Sequence, residues 1–140
     1  MAVLQDKDKS YYDTFRNVCL KWFSLSEFDC PTQEGSGRHM DKTFMDMLEK
    51  AREIAQVPFI INSGYRTKEY NATLTGASKN SSHTNIPCNA CDISAKDSIT
   101  RYKILEALIK VGFNRIGIGK NFIHCDTDKN KSQEVVWHYY

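Results

Sequence analysis

The sequence predicts one small α+β domain. Amphipathic helical spacing dominates the first third of the chain, while short apolar runs bounded by Gly, Pro and Asn dominate the last third. The histidines and aspartates with chemical potential fall at the junctions between loops and those short strands. The expected architecture is a small antiparallel sheet with helices packed on one side.

The elements follow in chain order. Residues 10–22 place Tyr11, Phe15, Val18, Cys19 and Trp22 at helical spacing, which predicts a first helix in an extension covering residues 1–21. Residues 23–31 read as an irregular lead-in and Gly35-Ser36-Gly37 as a loop. Asp41 is placed to cap a helix running to about Gln56, with Phe44, Met47, Leu48, Ala51, Ile54 and Ala55 on one face. Val57-Pro58 ends it. Phe59-Ile60-Ile61-Asn62 is a short buried strand, stopped by Ser63-Gly64. A helical turn over 68–74 closes at Gly76, and residues 77–89 are a long polar loop. A strand over 90–95 follows. A third amphipathic helix over 99–111 is stopped by Gly112. Strands over 115–118, 121–127 and 135–139 finish the chain, so that residues 22–138 form the core domain.

Composition narrows the classes. At 140 residues the chain suits one domain. Charged residues at 26% and hydrophobic ones at 41% are ordinary for a soluble globular protein. A net charge of +2 with scattered Lys and Arg gives no case for a nucleic-acid partner. No apolar run reaches the roughly 20 residues of a membrane-spanning helix. The polar start, with Asp6, Lys7, Asp8 and Lys9, lacks the apolar stretch of a secretory signal, so synthesis in the cytoplasm is expected. The five cysteines are odd in number and are expected to be reduced thiols rather than a disulfide framework. A monomer is expected.

Two short segments carry the chemistry: Ser82-His83 through Asp92, and Phe122-Ile123-His124-Cys125-Asp126. His83, Asp92 and His124 are the residue types that hold a catalytic zinc by three protein ligands, leaving one position for water. In a strand, Asp126 leaves the same face as His124. It is a candidate proton carrier, or a hydrogen-bond partner behind a ligand. Arg66, in Ser63-Gly64-Tyr65-Arg66, is a candidate anion anchor. Taken singly, each has an ordinary reading: a surface histidine, a turn aspartate, an ion-paired arginine. His124 is the exception, because it sits between Phe122-Ile123 and Cys125, where an uncommitted imidazole is costly to bury.

Ser63-Gly64-Tyr65-Arg66, Asn71, Gly76-Ala77, Ser82-His83, Ala90-x-Asp92 and Phe122-Ile123-His124-x-Asp126 together resemble the zinc D-alanyl-D-alanine carboxypeptidase family. That family includes peptidoglycan endopeptidases of phages, and the hedgehog signalling domain shares its fold. Phe23-Ser24-Leu25-Ser26-Glu27-Phe28 is similar to the lead-in of the small phage-type branch. The resemblance implies a hedgehog-like fold and a Zn2+ cofactor held by His83, Asp92 and His124. It also implies substrate contacts from Arg66, Ser82 and Trp137, with Asp126 and Arg66 as catalytic residues. Trp137 reads equally as a core aromatic of the last strand.

The chain departs from the family pattern twice. Eight residues separate His83 from Asp92 where the family usually has six, and the intervening glycine is missing. The acidic residue that many members carry three positions before the last histidine is Asn121 here, and an amide cannot accept a proton from water.

Cys88 and Cys91 admit other readings. Pro87-Cys88-x-x-Cys91 is half of a zinc nucleobase-deaminase signature, but the upstream His-x-Glu is absent, since His83 is followed by Thr84-Asn85. A structural zinc shared by Cys88, Cys91 and Cys30 is a second reading. Two reduced loop cysteines are the preferred one. The expected function is a zinc peptidase acting on the peptide of peptidoglycan, after release from the cell or as part of a virion. The alternative is a zinc-holding module of the same fold that recognises cell-wall peptide or protein with weak turnover or none.

Overall fold

The computed structural model describes residues 20–140, so nearly all of the helix expected over 10–22 lies outside the described residues. Among the described residues, three α-helices and five strands build the domain. They are α1 (Lys42–Ala55), α2 (Lys68–Ala72), α3 (Ser98–Val111), β1 (Ile61–Ser63), β2 (Ala90–Ser94), β3 (Arg115–Ile118), β4 (Phe122–Asp126) and β5 (Val135–His138). Short 3-10 helices at Leu25–Phe28, Ser36–His39 and Ser82–Thr84 punctuate the loops. The α+β class is as the sequence predicts.

Local chemistry sets the helix ends. The Asp41 carboxylate accepts the Phe44 amide at the start of α1, and Asp97 does the same for Thr100 in α3. Gly112, at φ 113°, ends α3 in the left-handed region, whereas Gln56 does so for α1 at φ 55°. Phe44 of α1 meets Phe113 edge to face, so the two long helices are joined in one core.

The sheet order is β1-β2-β4-β3-β5. Its first three pairings are antiparallel, but β3 and β5 run parallel, a departure from the purely antiparallel sheet expected. The chain after β4 loops back over residues 127–134 before β5 runs alongside β3, and a two-residue hairpin could not have produced that direction. The first strand also starts later than expected. Ile60 is 63% exposed, and the ladder begins only at Ile61.

Alternation along the central strands gives the sheet two chemically distinct faces. Cys91, Ile93, Ile116, Ile123 and Cys125 enter the apolar core with the buried residues of α1 and α3. Asp92, His124, Asp126 and Arg115 belong to the opposite set, and there the pocket forms. The two cysteines assigned by sequence to a loop are core residues: Cys88 is fully buried just before β2, and Cys91 lies within it.

Candidate metal centre

Asp92 and His124 face each other as register partners on β2 and β4, so the strand pairing itself brings a carboxylate and an imidazole together. His83 arrives from outside the sheet. Its 3-10 helix, Ser82–Thr84, is capped by the Ser81 hydroxyl, which accepts the His83 amide. The Arg66 amide donates to the His83 carbonyl at 2.8 Å, tying this turn to the segment after β1.

Each imidazole has one nitrogen committed away from the centre. Nδ1 of His83 lies 2.7 Å from the Gly64 carbonyl oxygen and donates to it, which leaves Nε2 to face Asp92 Oδ1 at 3.3 Å. His124 is reversed. Its Nε2 lies 2.7 Å from Asp126 Oδ2, and its Nδ1 faces the same Asp92 oxygen at 2.9 Å. Gly64 has to be glycine for this, because a Cβ there would sit 2.7 Å from the Phe28 backbone. One donor atom from each of His83, Asp92 and His124 lies within 4.8 Å of the other two. Two imidazoles and a carboxylate with their inner donors converging and their outer nitrogens tied suit a three-ligand metal site.

Asp126 is 1% exposed and fully engaged. Besides His124, it accepts Arg115 Nε at 2.6 Å and the Asp128 amide at 3.0 Å through Oδ1. Arg115 donates in turn to the Ser132 carbonyl and lies 5.0 Å over the Trp137 ring. A relay therefore runs from the Trp137 face through Arg115 and Asp126 to His124. Sequence reasoning missed Arg115. The available signal was a single cation in the strand Arg115-Ile116-Gly117-Ile118, where burial demands a partner.

The charges of the cluster stabilise one another. Burial opposes ionisation of Asp92, but bonds from His124 and His83 outweigh it and hold its carboxyl well below the usual range. Burial likewise disfavours a charged His124, yet bonds to Asp126 and Asp92 raise its pKa to about 9. For Asp126, burial is again overcome, here by His124 and Arg115, and its pKa is lowered.

The remaining predicted residues surround the same pocket, a cavity of about 430 Å³. Arg66 lines it with its guanidinium spread over three acceptors: Ser63 Oγ at 2.9 Å, Asn71 Oδ1 at 3.1 Å and Asp92 Oδ2 at 3.4 Å. Ser82 also lines it, buried, with its hydroxyl donating to Asp128 at 2.7 Å and accepting from Lys131 at 3.0 Å. Trp137 packs across β3, filling the space a side chain at Gly117 would occupy, with its ring 5.6 Å from that of His124. Asn121 is exposed and does not line the cavity. The only carboxylates lining the cavity among the described residues are Asp92 and Asp126.

Asp128, also unanticipated, braces the turn that carries His83. Its carboxylate receives both Ser82 and Asn85, on either side of His83, while the Cys88 amide donates to the His39 carbonyl. The bonds to Asp128 hold the turn around His83 from both sides. Cys30 and Cys88 take no part. Among the described residues the one cluster suited to a metal is His83, Asp92 and His124, which removes the three-cysteine reading.

A family model described as Peptidase M15 matches residues 21–126. The chain belongs to that family. M15 peptidases are zinc-dependent, and the matched segment contains all three converging residues, a cluster that could hold a metal. The match leaves the deaminase reading of Cys88 and Cys91 without support. No curated protein and no solved structure matches the chain.

Proposed function

We propose that this M15 peptidase is a zinc enzyme that hydrolyses peptide bonds in the stem peptides of peptidoglycan, as a D-Ala-D-Ala carboxypeptidase or an endopeptidase. The observation that carries this reading is the convergence of His83, Asp92 and His124 with their outer nitrogens held by Gly64 and Asp126. These three residues would hold the ion. Bound there, zinc supplies a water of pKa about 7 and polarises the scissile carbonyl.

The chain's own groups supply positioning. Arg66 keeps Asp92 aligned through Oδ2 and lines the cavity, where its guanidinium is the anchor for a substrate carboxylate or carbonyl oxygen. Trp137 and Tyr139 form an aromatic wall against which a peptide can pack. Ser82 lines the cavity beside His83, its hydroxyl held by Asp128. Asp126 holds His124 in one tautomer and orientation, the first role that its place behind the ligand allows. The setting of such an enzyme is cell-wall cleavage after release, or from within a virion, as in a phage lytic function.

A second reading has its own support. With Asn121 in place of an acid, and Asp126 committed to His124, Arg115 and the Asp128 amide, the cavity offers no idle carboxylate to carry a proton. A module that holds zinc and recognises cell-wall peptide with slow turnover meets the same geometry. Metal analysis of protein purified without added zinc, followed by muropeptide digestion, separates the two. Stoichiometric zinc with cleavage abolished by chelator and by His124→Ala supports the enzyme. Stoichiometric zinc with every muropeptide intact removes it and leaves the module.

A further inference from the structure

Among the described residues, Cys91 and Cys125 are the one pair of thiols in mutual contact, and the metal centre does not use them. They are direct register partners on β2 and β4, each one residue from a metal ligand, Asp92 and His124 respectively, but on the opposite face of the sheet. Their sulfurs lie 3.9 Å apart and both residues are completely buried. The other described thiols are engaged elsewhere: Cys30 contacts the hydroxyls of Thr32 and Thr67, and Cys88 lies 3.5 Å from the His83 carbonyl.

We propose that Cys91 and Cys125 are a cross-strand disulfide site, which closes when the chain folds in oxidising surroundings and fastens β2 to β4 behind the metal ligands. The backbone is already suitable. Directly paired antiparallel residues have Cα atoms about 4.5 to 5.5 Å apart, inside the roughly 4.4 to 6.8 Å that a disulfide requires. Closure needs the sulfurs to approach to about 2.05 Å, and side-chain rotation covers part of that movement. Register fixes the partner, since a thiol on β2 at 91 meets 125 and no other cysteine on β4.

The balance is that of thiol–disulfide exchange. The two thiols lose two protons and two electrons as one S–S bond forms. A small-molecule disulfide such as oxidised glutathione accepts them and is released as two thiols. Complete burial keeps an oxidant away from the finished fold, so exchange takes place during folding, before the core closes over the pair. The link encloses residues 91–125 and removes freedom from the unfolded chain, which predicts a more stable protein. Because it grips the two strands that carry Asp92 and His124, it also resists their separation.

The test is to refold the full chain with zinc from denaturant, once in a glutathione redox buffer and once in excess reductant. The expected product in the redox buffer is two hydrogen atoms lighter, maps to a single Cys91–Cys125 peptide pair, and unfolds at higher denaturant than its reduced form. Cys125→Ala, and separately Cys91→Ala, should remove both the link and the difference between buffers; each variant's fold is checked by circular dichroism. If either alanine variant fails to fold, the wild-type peptide map and midpoint decide. Five reactive thiols after redox refolding, a link to any other cysteine, or an unchanged unfolding midpoint overturns the proposal. None of these outcomes depends on peptidase activity.

Discussion

Nε2 of His124 and Oδ2 of Asp126 are 2.7 Å apart, although only one residue separates them along β4. Alternation puts both on the same face, and the bond forces His124 to present Nδ1 toward Asp92. His83, tied through Nδ1 to Gly64, presents Nε2 instead. The centre is thus assembled from two imidazoles that turn opposite ring nitrogens inward, each oriented by a neighbour.

If Asp126 serves chiefly to orient His124, its loss weakens zinc binding before it touches chemistry. Asp126→Ala should lower zinc affinity about 10- to 100-fold, measured by competition with a chromogenic chelator. Asp126→Asn, which keeps an oxygen for the imidazole N–H, should recover much of that loss. A variant that binds zinc as the wild type does but has lost hydrolysis would instead make Asp126 the proton carrier.

The pKa values give a pH signature. In the metal-free protein His124 is held at about 9 against an ordinary 6.5. Its contribution to stability is complete below 6.5 and is lost as pH rises through about 9. Asp92, depressed from 3.8, contributes above that value and is lost only as pH falls through its lower folded pKa. Zinc-stripped protein should therefore show a falling melting temperature between neutrality and pH about 9, whereas zinc-loaded protein should not follow that decline. At neutral pH, zinc uptake should displace about one proton from His124, measurable by calorimetry in buffers of different ionisation enthalpy. Uptake with no proton release contradicts the assignment.

Arg66 spans Ser63, Asn71 and Asp92 with one planar fork, which an ammonium cannot reproduce. Arg66→Lys should leave the protein folded but weaken zinc binding by about threefold to tenfold through the loosened Asp92. If the peptidase reading holds, KM should rise more than kcat falls. Unaltered zinc affinity and KM would show that the fork is dispensable.

Gly117 leaves room for the Trp137 and Tyr139 rings, each 2.7 Å from where a Cβ would stand. Gly117→Ala should cost about 1 to 3 kcal/mol by urea unfolding, as overpacked sites do. It should also shift tryptophan emission, because Trp137 must leave its place over Arg115. A stable variant with unchanged emission would mean that β5 yields without strain.

How far the sequence could be read depended on the range over which each partner acts. α1 was legible because Asp41 caps it and its apolar stripe repeats at short range; its Gln56 end fell where Val57-Pro58 pointed. His124 and Asp126 were legible as a same-face pair because β4 alternates cleanly. The parallel run of β5 was not legible, since nothing within residues 127–134 states which edge the chain will return to. Arg115 and Asp128 escaped for the same reason. Each acts on a group distant in the chain, Asp126 for one and the turn around His83 for the other, and their spacing forms no local pattern. Asn121 was recognised as a departure, but the absence of an idle acid from the cavity became visible only with Asp126's partners in place.

The alternation of β2 and β4 also guards the assembly against error. Slipping one strand past the other by a single position would turn a carboxylate or an imidazole into the oily interior and expose a thiol and its aliphatic neighbours to solvent. Both sides of the sheet penalise that mistake at once, so a ladder mispaired by one position has no favourable place to rest.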